Sequence, residues 1–377
     1  MKAAGKGPAV LRLNNLKRVM AQLRSARITS RQDIARALDL SKNTVSLIID
    51  DLLAQGLVRE LGPVSVTAAG RPKIEIALRP EKLKSAGIMV ARQTIHWQVR
   101  DYFSQVIAEQ TWRTETAAPE RLLQELAEVC QTLCAAHPEL TGIAIGLPGI
   151  IDSQRGFVHF SAPLGWENVA VLAPLQRCVS LPLLVLNNVK AAALLSVQQL
   201  QLSKAQSHFY LRIAEGVGGA LIDRGALFTG SSWTAGEIGH LRMQREGQLC
   251  SCGRRGCLET LIGQPAIQQQ LSKRKPGLRW QQGESEPSLF NPLMSEAGEH
   301  LGFALSQVMQ LVNPACIIID APWNSSAVFR EAVQQTMQAS TLAFTHAHTT
   351  LHFLAQRLEP AQGLALAVIA QYEQADY

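Results

Sequence analysis

A chain of 377 residues with 47% hydrophobic and 18% charged side chains has a globular composition and room for two or three domains, which excludes a disordered or fibrous protein. Its most apolar stretch, residues 180 to 197, is broken by Asn187, Asn188 and Lys190, and no apolar run follows Lys2, Lys6 and Arg12, so neither a membrane helix nor a secretory leader is expected. The net charge of +6 is unevenly spread: residues 1 to 80 hold 14 Lys and Arg against six Asp and Glu, leaving a net of −2 on the remainder, so a polyanion partner is expected for the first part only.

Residues 12 to 25 carry Leu13, Leu16, Val19, Met20 and Leu23 at spacings of three and four, which predicts an amphipathic helix. Thr29-Ser30-Arg-Gln-Asp33 reads as the start of a second helix that buries Ile34, Ala35 and Leu38. After a short turn, Ser41 is placed to cap a third helix bearing Val45, Ile48, Ile49, Leu52 and Leu53, which Gly56 ends. Its first turn offers Ser41, Lys42, Asn43, Thr44 and Ser46, polar groups suited to base edges and phosphates. Residues 57 to 61 and 73 to 78 read as two strands around a loop holding Arg71. The expected module is therefore a winged helix-turn-helix over residues 1–80, with operator DNA as partner and Arg71 at the wing. The alternative is a small helical bundle used for protein contacts.

Residues 79 to 86 have a linker's composition. Beyond them, apolar runs such as 143 to 146, 183 to 186 and 317 to 319 read as buried strands. They alternate with helical stretches at 120 to 134, 189 to 202 and 296 to 312, a pattern that predicts an α/β body. Residues 273 to 288, rich in Lys, Arg, Pro, Gly, Gln and Ser, read as an exposed loop.

His240, Cys250, Cys252 and Cys257 supply four ligands of the kinds a tetrahedral zinc takes, with no position left open, so a structural zinc is expected. Cys130, Cys134, Cys178 and Cys316 are scattered through apolar stretches and read as core residues. A cytoplasmic location with reduced thiols follows.

Taken together, these segments resemble the ROK family of sugar-responsive repressors and sugar kinases, on its transcriptional-repressor branch, which includes N-acetylglucosamine- and glucose-type sugar repressors. The resemblance rests on Ser41-Lys-Asn-Thr-Val-Ser46, Gly70-Arg-Pro72, Gly146-Leu-Pro-Gly149, Gly165-Trp-Glu-Asn168, Ala191-Ala-Ala-Leu194, Gly216-Val-Gly-Gly219, Gly236-Glu-Ile-Gly-His240, Cys250 to Glu259 and Asn313-Pro314. It implies a two-lobed, actin-like body built on the ribonuclease H-like motif. The first α/β lobe would occupy 81–190 and the second, with the zinc knob, 191–377, its C-terminal part free to return to the first lobe.

The kinase motifs of such a family are altered here. Asp-x-Gly-x-Thr is matched by Met89-Val-Ala-Arg-Gln-Thr94, Gly-Thr-Gly by Ala214-Glu215-Gly216, and a Gly-Gly pair by Asp320-Ala321. Asn188 stands where the family's catalytic base stands, and a neutral amide takes no proton near neutral pH. No catalytic residue is therefore assigned, and the protein is not expected to be an enzyme.

The resemblance also implies a sugar site of Asn187, Asn188, Glu237, His240 and Glu259, with His240 serving zinc through one ring nitrogen and the site through the other. The Asn that often precedes the Trp segment is missing from Ser161-Ala-Pro-Leu-Gly-Trp166, so Asn168 is not given that role. A vestigial pocket, in which Glu237 and Glu259 only complete a local hydrogen-bond network, is the alternative. The expected function is a DNA-binding repressor responsive to a sugar or sugar phosphate, working as a homodimer or homotetramer. A ROK sugar kinase, or a regulator controlled by a protein partner, is the competing reading.

Overall fold

The stripe at residues 12 to 25 lies within α1 (Pro8–Ala26), which buries Val19, Met20 and Leu23. A computed structural model of the chain describes residues 7–64 and 73–374; Arg71 lies outside them. After α1 come β1 (Ile28–Ser30), α2 (Arg31–Leu38), α3 (Lys42–Ala54), β2 (Val58–Val64) and β3 (Lys73–Leu78). Ser30 caps α2 by accepting the Asp33 N–H, and Asp39, at φ 52°, turns the chain out of the helix. Ser41 caps α3 in the same way through the Thr44 N–H. The three strands pair antiparallel in the order β1-β3-β2.

The chain continues through β4 (Lys84–Ala91), β5 (Thr94–Asp101), β6 (Val106–Arg113), α4 (Pro119–Ala136) and β7 (Leu140–Leu147). A small antiparallel sheet follows, of β8 (Ile150–Asp152), β9 (Phe157–Ser161) and β10 (Trp166–Ala170). Next come α5 (Leu172–Gln176), β11 (Leu183–Asn187), α6 (Asn188–Gln199), β12 (His208–Ile213), β13 (Val217–Asp223) and β14 (Ala226–Phe228). The last third holds α7 (Glu259–Ile262), α8 (Gln264–Arg274), α9 (Pro287–Val312), β15 (Cys316–Asp320), α10 (Ala327–Ser340), α11 (Ala343–Ala347), β16 (Thr350–Phe353) and α12 (Pro360–Glu373). Two five-stranded sheets form, in the orders β11-β7-β4-β5-β6 and β14-β13-β12-β15-β16. In the second, β12, β15 and β16 run parallel while β13 pairs antiparallel with both β12 and β14, so the molecule is mixed α/β. No helix among the described residues is long and apolar enough to cross a membrane.

Two stretches differ from their compositional reading. The linker at 79–86 shrinks to one turn at Pro80–Lys82, because Ser85 and Ala86 are fully buried inside β4, where small side chains suit a packed sheet. Residues 273 to 288 are not an open loop either. Leu278 is 8% exposed, Trp280 meets Trp323 edge-on at 6.0 Å, and Gly283 lies so close to the Phe290 ring that a Cβ would sit 2.3 Å from it. The many polar residues there masked these three anchors.

The chain forms two compact units, one of Met1–Ile145, Val171–Leu184 and Leu364–Tyr377, the other of Gly146–Ala170 and Val185–Gly363. In the first, the core of α1, α2, α3 and their sheet extends without a break to Leu83, Tyr102 and Ile369. A polar tether lies beside it. The Arg24 guanidinium donates to both Glu373 carboxylate oxygens, at 2.6 and 2.7 Å, and the Tyr102 hydroxyl donates to one of them at 2.7 Å. Burial and the neighbouring Glu373 charge push the Tyr102 phenol well above its ordinary range, so it stays a donor. The second unit packs α7 to α10 against β12, β13 and β15, with Trp323 and Phe329 at its centre.

Glu373→Ala leaves a largely buried guanidinium and a phenol without their acceptor. Unfolding in urea should show a loss of about 2 kcal/mol, below the ~3–5 kcal/mol of a fully buried pair because Arg24 keeps some solvent contact. Glu373→Gln should lose less, and an unchanged midpoint in both variants would show that the tether adds no stability.

Candidate functional site

Backbone contact with β13 sets the position of His240. The Gly219 N–H donates to the Gly236 carbonyl at 2.8 Å. Gly236, at φ +94°, lies so close that a Cβ would sit 2.3 Å from the Gly219 oxygen, and one on Gly239 would sit 2.0 Å from that of Val217. Only glycine fits at these two approaches. The single turn Ile238–His240 then presents the imidazole. Opposite it, the Cys250 N–H bonds the Arg254 carbonyl at 2.7 Å in a tight turn through Gly253, and Gly256 at φ +74° brings Cys257 back beside Arg242.

The ligand atoms of His240, Cys250, Cys252 and Cys257 all lie within 4.8 Å of one another and could hold a metal ion. His240 Nδ1 is 3.5 Å from Cys250 Sγ, and the Cys252 and Cys257 sulfurs are 3.6 Å apart. The other ring nitrogen, Nε2, faces the Glu237 carboxylate at 4.0 Å. Glu259 borders the same cluster: its Oε1 accepts from Cys250 Sγ at 2.9 Å and Ser251 Oγ at 3.2 Å, and lies 3.7 Å from His240 Nδ1. Its other oxygen is 3.2 Å from where a Cβ on Gly216 would be, so the glycine leaves the carboxylate its space.

The structure thus brings Glu237, His240 and Glu259 together. Asn187 and Asn188 stand at the start of α6, where both ends of the Asn187 amide are bonded within the chain. Its Oδ1 accepts the N–H groups of Val189 and Lys190 at 2.7 and 3.2 Å as the helix cap, and its Nδ2 donates to the Gly149 carbonyl at 2.8 Å. One turn on is a residue that sequence reasoning passed over. Lys190 is buried, and its ammonium donates to the Trp233 carbonyl at 2.6 Å, tying α6 to the segment that carries Glu237. Burial pushes the Lys190 ammonium below its ordinary range, against the opposing pull of Glu237. It also pushes the Glu237 carboxyl above its own, against His240 and Lys190.

The segments that the resemblance sets against the kinase motifs have definite surroundings. Met89–Thr94 runs from the end of β4 through a two-residue turn at Arg92 and Gln93 into β5, with Gln93 at φ 58°. Asp320, at the carboxyl end of β15, has no exposed surface. It accepts from the Tyr210 hydroxyl and an Arg212 nitrogen, each at 2.6 Å, and from Arg357 Nε at 2.8 Å. Asp320 is therefore the hub of a buried ionic network. No spacing in the sequence announces its partners.

On α3, the Ser41 hydroxyl accepts the Thr44 N–H at 3.0 Å and lies 2.8 Å from the Thr44 hydroxyl, so both side chains serve the cap. Lys42 and Asn43 are exposed and Ser46 is half-buried. Asp50 and Asp51, further along, pair with Arg31 and Arg12.

A family model described as ROK family matches residues 85–369. Among curated proteins, the xylose repressor of Caldicellulosiruptor bescii is 27% identical over 336 residues, covering 83% of each chain. The DNA-binding transcriptional dual regulator NagC of Escherichia coli is 26% identical over 308 residues, covering 77% of this chain and 76% of its own. Among solved structures, a ROK family transcriptional regulator described as a homolog of the E. coli MLC protein superposes with a TM-score of 0.81 at 22% identity, covering 97% of both chains. A ROK family glucokinase from Streptomyces griseus, in complex with glucose and AMPPNP, gives 0.66 at 17% identity over 75% of this chain and 98% of its own. The fold is thus shared by regulators and kinases.

Asn187→Ala removes both the α6 cap and the tie to Gly149. It should destabilise the protein by about 1–2 kcal/mol in chemical unfolding, while Asn187→Asp, which keeps the cap acceptor, should recover part of the loss. Equal losses in the two variants would mean that the cap contributes nothing.

Proposed function

The chain belongs to the ROK family, and from that premise we propose that it is a DNA-binding transcriptional repressor whose effector is a sugar or sugar phosphate and which lacks kinase activity. One observation carries the reading. A basic three-helix module with a small antiparallel sheet is joined to a body that the ROK model matches, and Asp320, which the resemblance sets against a glycine pair of the kinases as it sets Asn188 against their base, is buried between two arginines. The relatives named above as repressors support the same choice. In this reading residues 1–80 are a winged helix-turn-helix, and 81–190 and 191–377 supply the two actin-like lobes, the C-terminal part of the second returning to the first. Lys42, Asn43 and Ser46 face DNA, Arg71 contributes from the wing, and Ser41 and Thr44 hold the helix start. A symmetric homo-oligomer in the cytoplasm presents two such modules to a two-fold operator.

Asn188, Glu237, His240 and Glu259 bind the sugar hydroxyls, because carboxylates accept from vicinal hydroxyls and an amide both donates and accepts. Asn187 supports them through the cap. The metal is zinc. Bonds of ~2.3 Å to sulfur and ~2.0–2.1 Å to nitrogen place tetrahedral ligands about 3.5–3.8 Å apart; two of the pairs, at 3.5 and 3.6 Å, have that spacing, and all four ligand atoms lie within 4.8 Å of one another. Zinc supplies a fixed imidazole orientation here, with no open coordination position for catalysis.

Operator binding, ATP turnover, zinc content and melting temperature test this. Affinity for a selected operator should fall steeply with salt, weaken in Lys42→Ala and Arg71→Ala, and drop when the cognate sugar is added, while ATP with a panel of hexoses, pentoses and N-acetylated sugars gives no turnover. Sugar-dependent ATP consumption above background would install the kinase reading. Freshly purified protein should contain one zinc per chain, and Cys257→Ser or chelation should lower the melting temperature; metal analysis showing none refutes the zinc assignment.

A further inference from the structure

Leu47 is the only large apolar side chain of α3 that is exposed, at 64%, while Val45, Ile48, Ile49 and Leu52 are buried on the opposite side. It stands four residues after Asn43, so the two share one face of the helix, flanked by Lys42 and the half-buried Ser46. Ser41 and Thr44 spend their hydroxyls on the cap, and Asp50 and Asp51 are paired with Arg31 and Arg12. What α3 offers a partner is therefore confined to its first two turns, and it is a cation, an amide, an isobutyl group and the half-buried Ser46 hydroxyl.

The partner's chemistry follows from charge. Residues 1 to 80 carry eight more positive than negative side chains, which favours a polyanion over a protein surface. In the major groove of DNA the apolar feature open to a leucine is the C5-methyl of thymine. We propose that Leu47 is a specificity residue that packs on a thymine methyl in each operator half-site, with Asn43 one turn earlier on the neighbouring base edge. This rests on the DNA-binding reading of the module and adds to it the base that the helix selects.

The test uses the full-length chain. A duplex is first selected from a random DNA pool, and each thymine is then replaced in turn by uracil, which lacks only the methyl. For the unsubstituted protein, one position per half-site should lose about fourfold in affinity, the worth of one buried methyl-sized group. Leu47→Ala, which alters an exposed side chain and leaves the core intact, should bind the thymine duplex more weakly and lose this uracil effect. Its salt dependence should stay that of the unsubstituted protein, since no charge is removed. Uracil effects of equal size in both proteins, or none at any position, overturn the assignment while leaving DNA binding in place. Failure of any duplex to emerge from selection overturns the DNA-binding reading, and the role of Leu47 with it.

Discussion

A histidine ring has two nitrogens, and in this chain they face two different kinds of neighbour. Nδ1 of His240 points into the cysteine cluster and Nε2 toward the Glu237 carboxylate. That orientation depends on backbone packing: Gly236 and Gly239 lie against β13 too closely for any side chain, so the peptide that presents the imidazole has little room to shift. A metal on Nδ1 would fix the tautomer and leave the Nε2 proton directed at Glu237, coupling the cluster to the polar site next to it. Glu259 repeats the coupling from the other side, with one oxygen against Cys250 and the other in the space left by Gly216.

Asp320 imposes a different constraint. An ionised carboxylate with no solvent contact is costly unless matched by charge and hydrogen bonds, and here Arg212, Arg357, Tyr210 and the backbone N–H of Leu358 surround it. The two arginines are held in turn, Arg212 by the Leu358 carbonyl at 2.8 Å and Arg357 by that of Ile213 at 2.6 Å. The carboxyl ends of β12 and β15 and the segment at 357–358 are thereby locked together by charge.

Legibility in the sequence followed the range of the interaction. The helices of the first module, the caps at Ser30 and Ser41 and the buried strands of the body are set by periods of two to four residues and stand close to where pattern puts them. The cysteine cluster was legible because its ligands lie within eighteen positions of one another. The Arg24 and Glu373 pair spans 349 positions and the Arg212 and Asp320 pair 108, so neither leaves a local trace. Composition misled where a few apolar residues outweigh many polar ones, as Leu278 and Trp280 do in the supposed loop.

A polar side chain can satisfy the backbone or a ligand, and residue type does not say which. Asn187 reads as half of an Asn pair suited to a polyol, yet both ends of its amide are committed within the chain. Ser41 and Thr44 read as groups for DNA, yet they bond each other and the helix start. On α3 the neighbours one and two positions after the cap, Lys42 and Asn43, remain exposed. The capping residue fixes where the helix begins, and so fixes which neighbours face the partner. A motif therefore mixes residues that build a site with residues that use it, and they are told apart only when each donor and acceptor is traced to its partner.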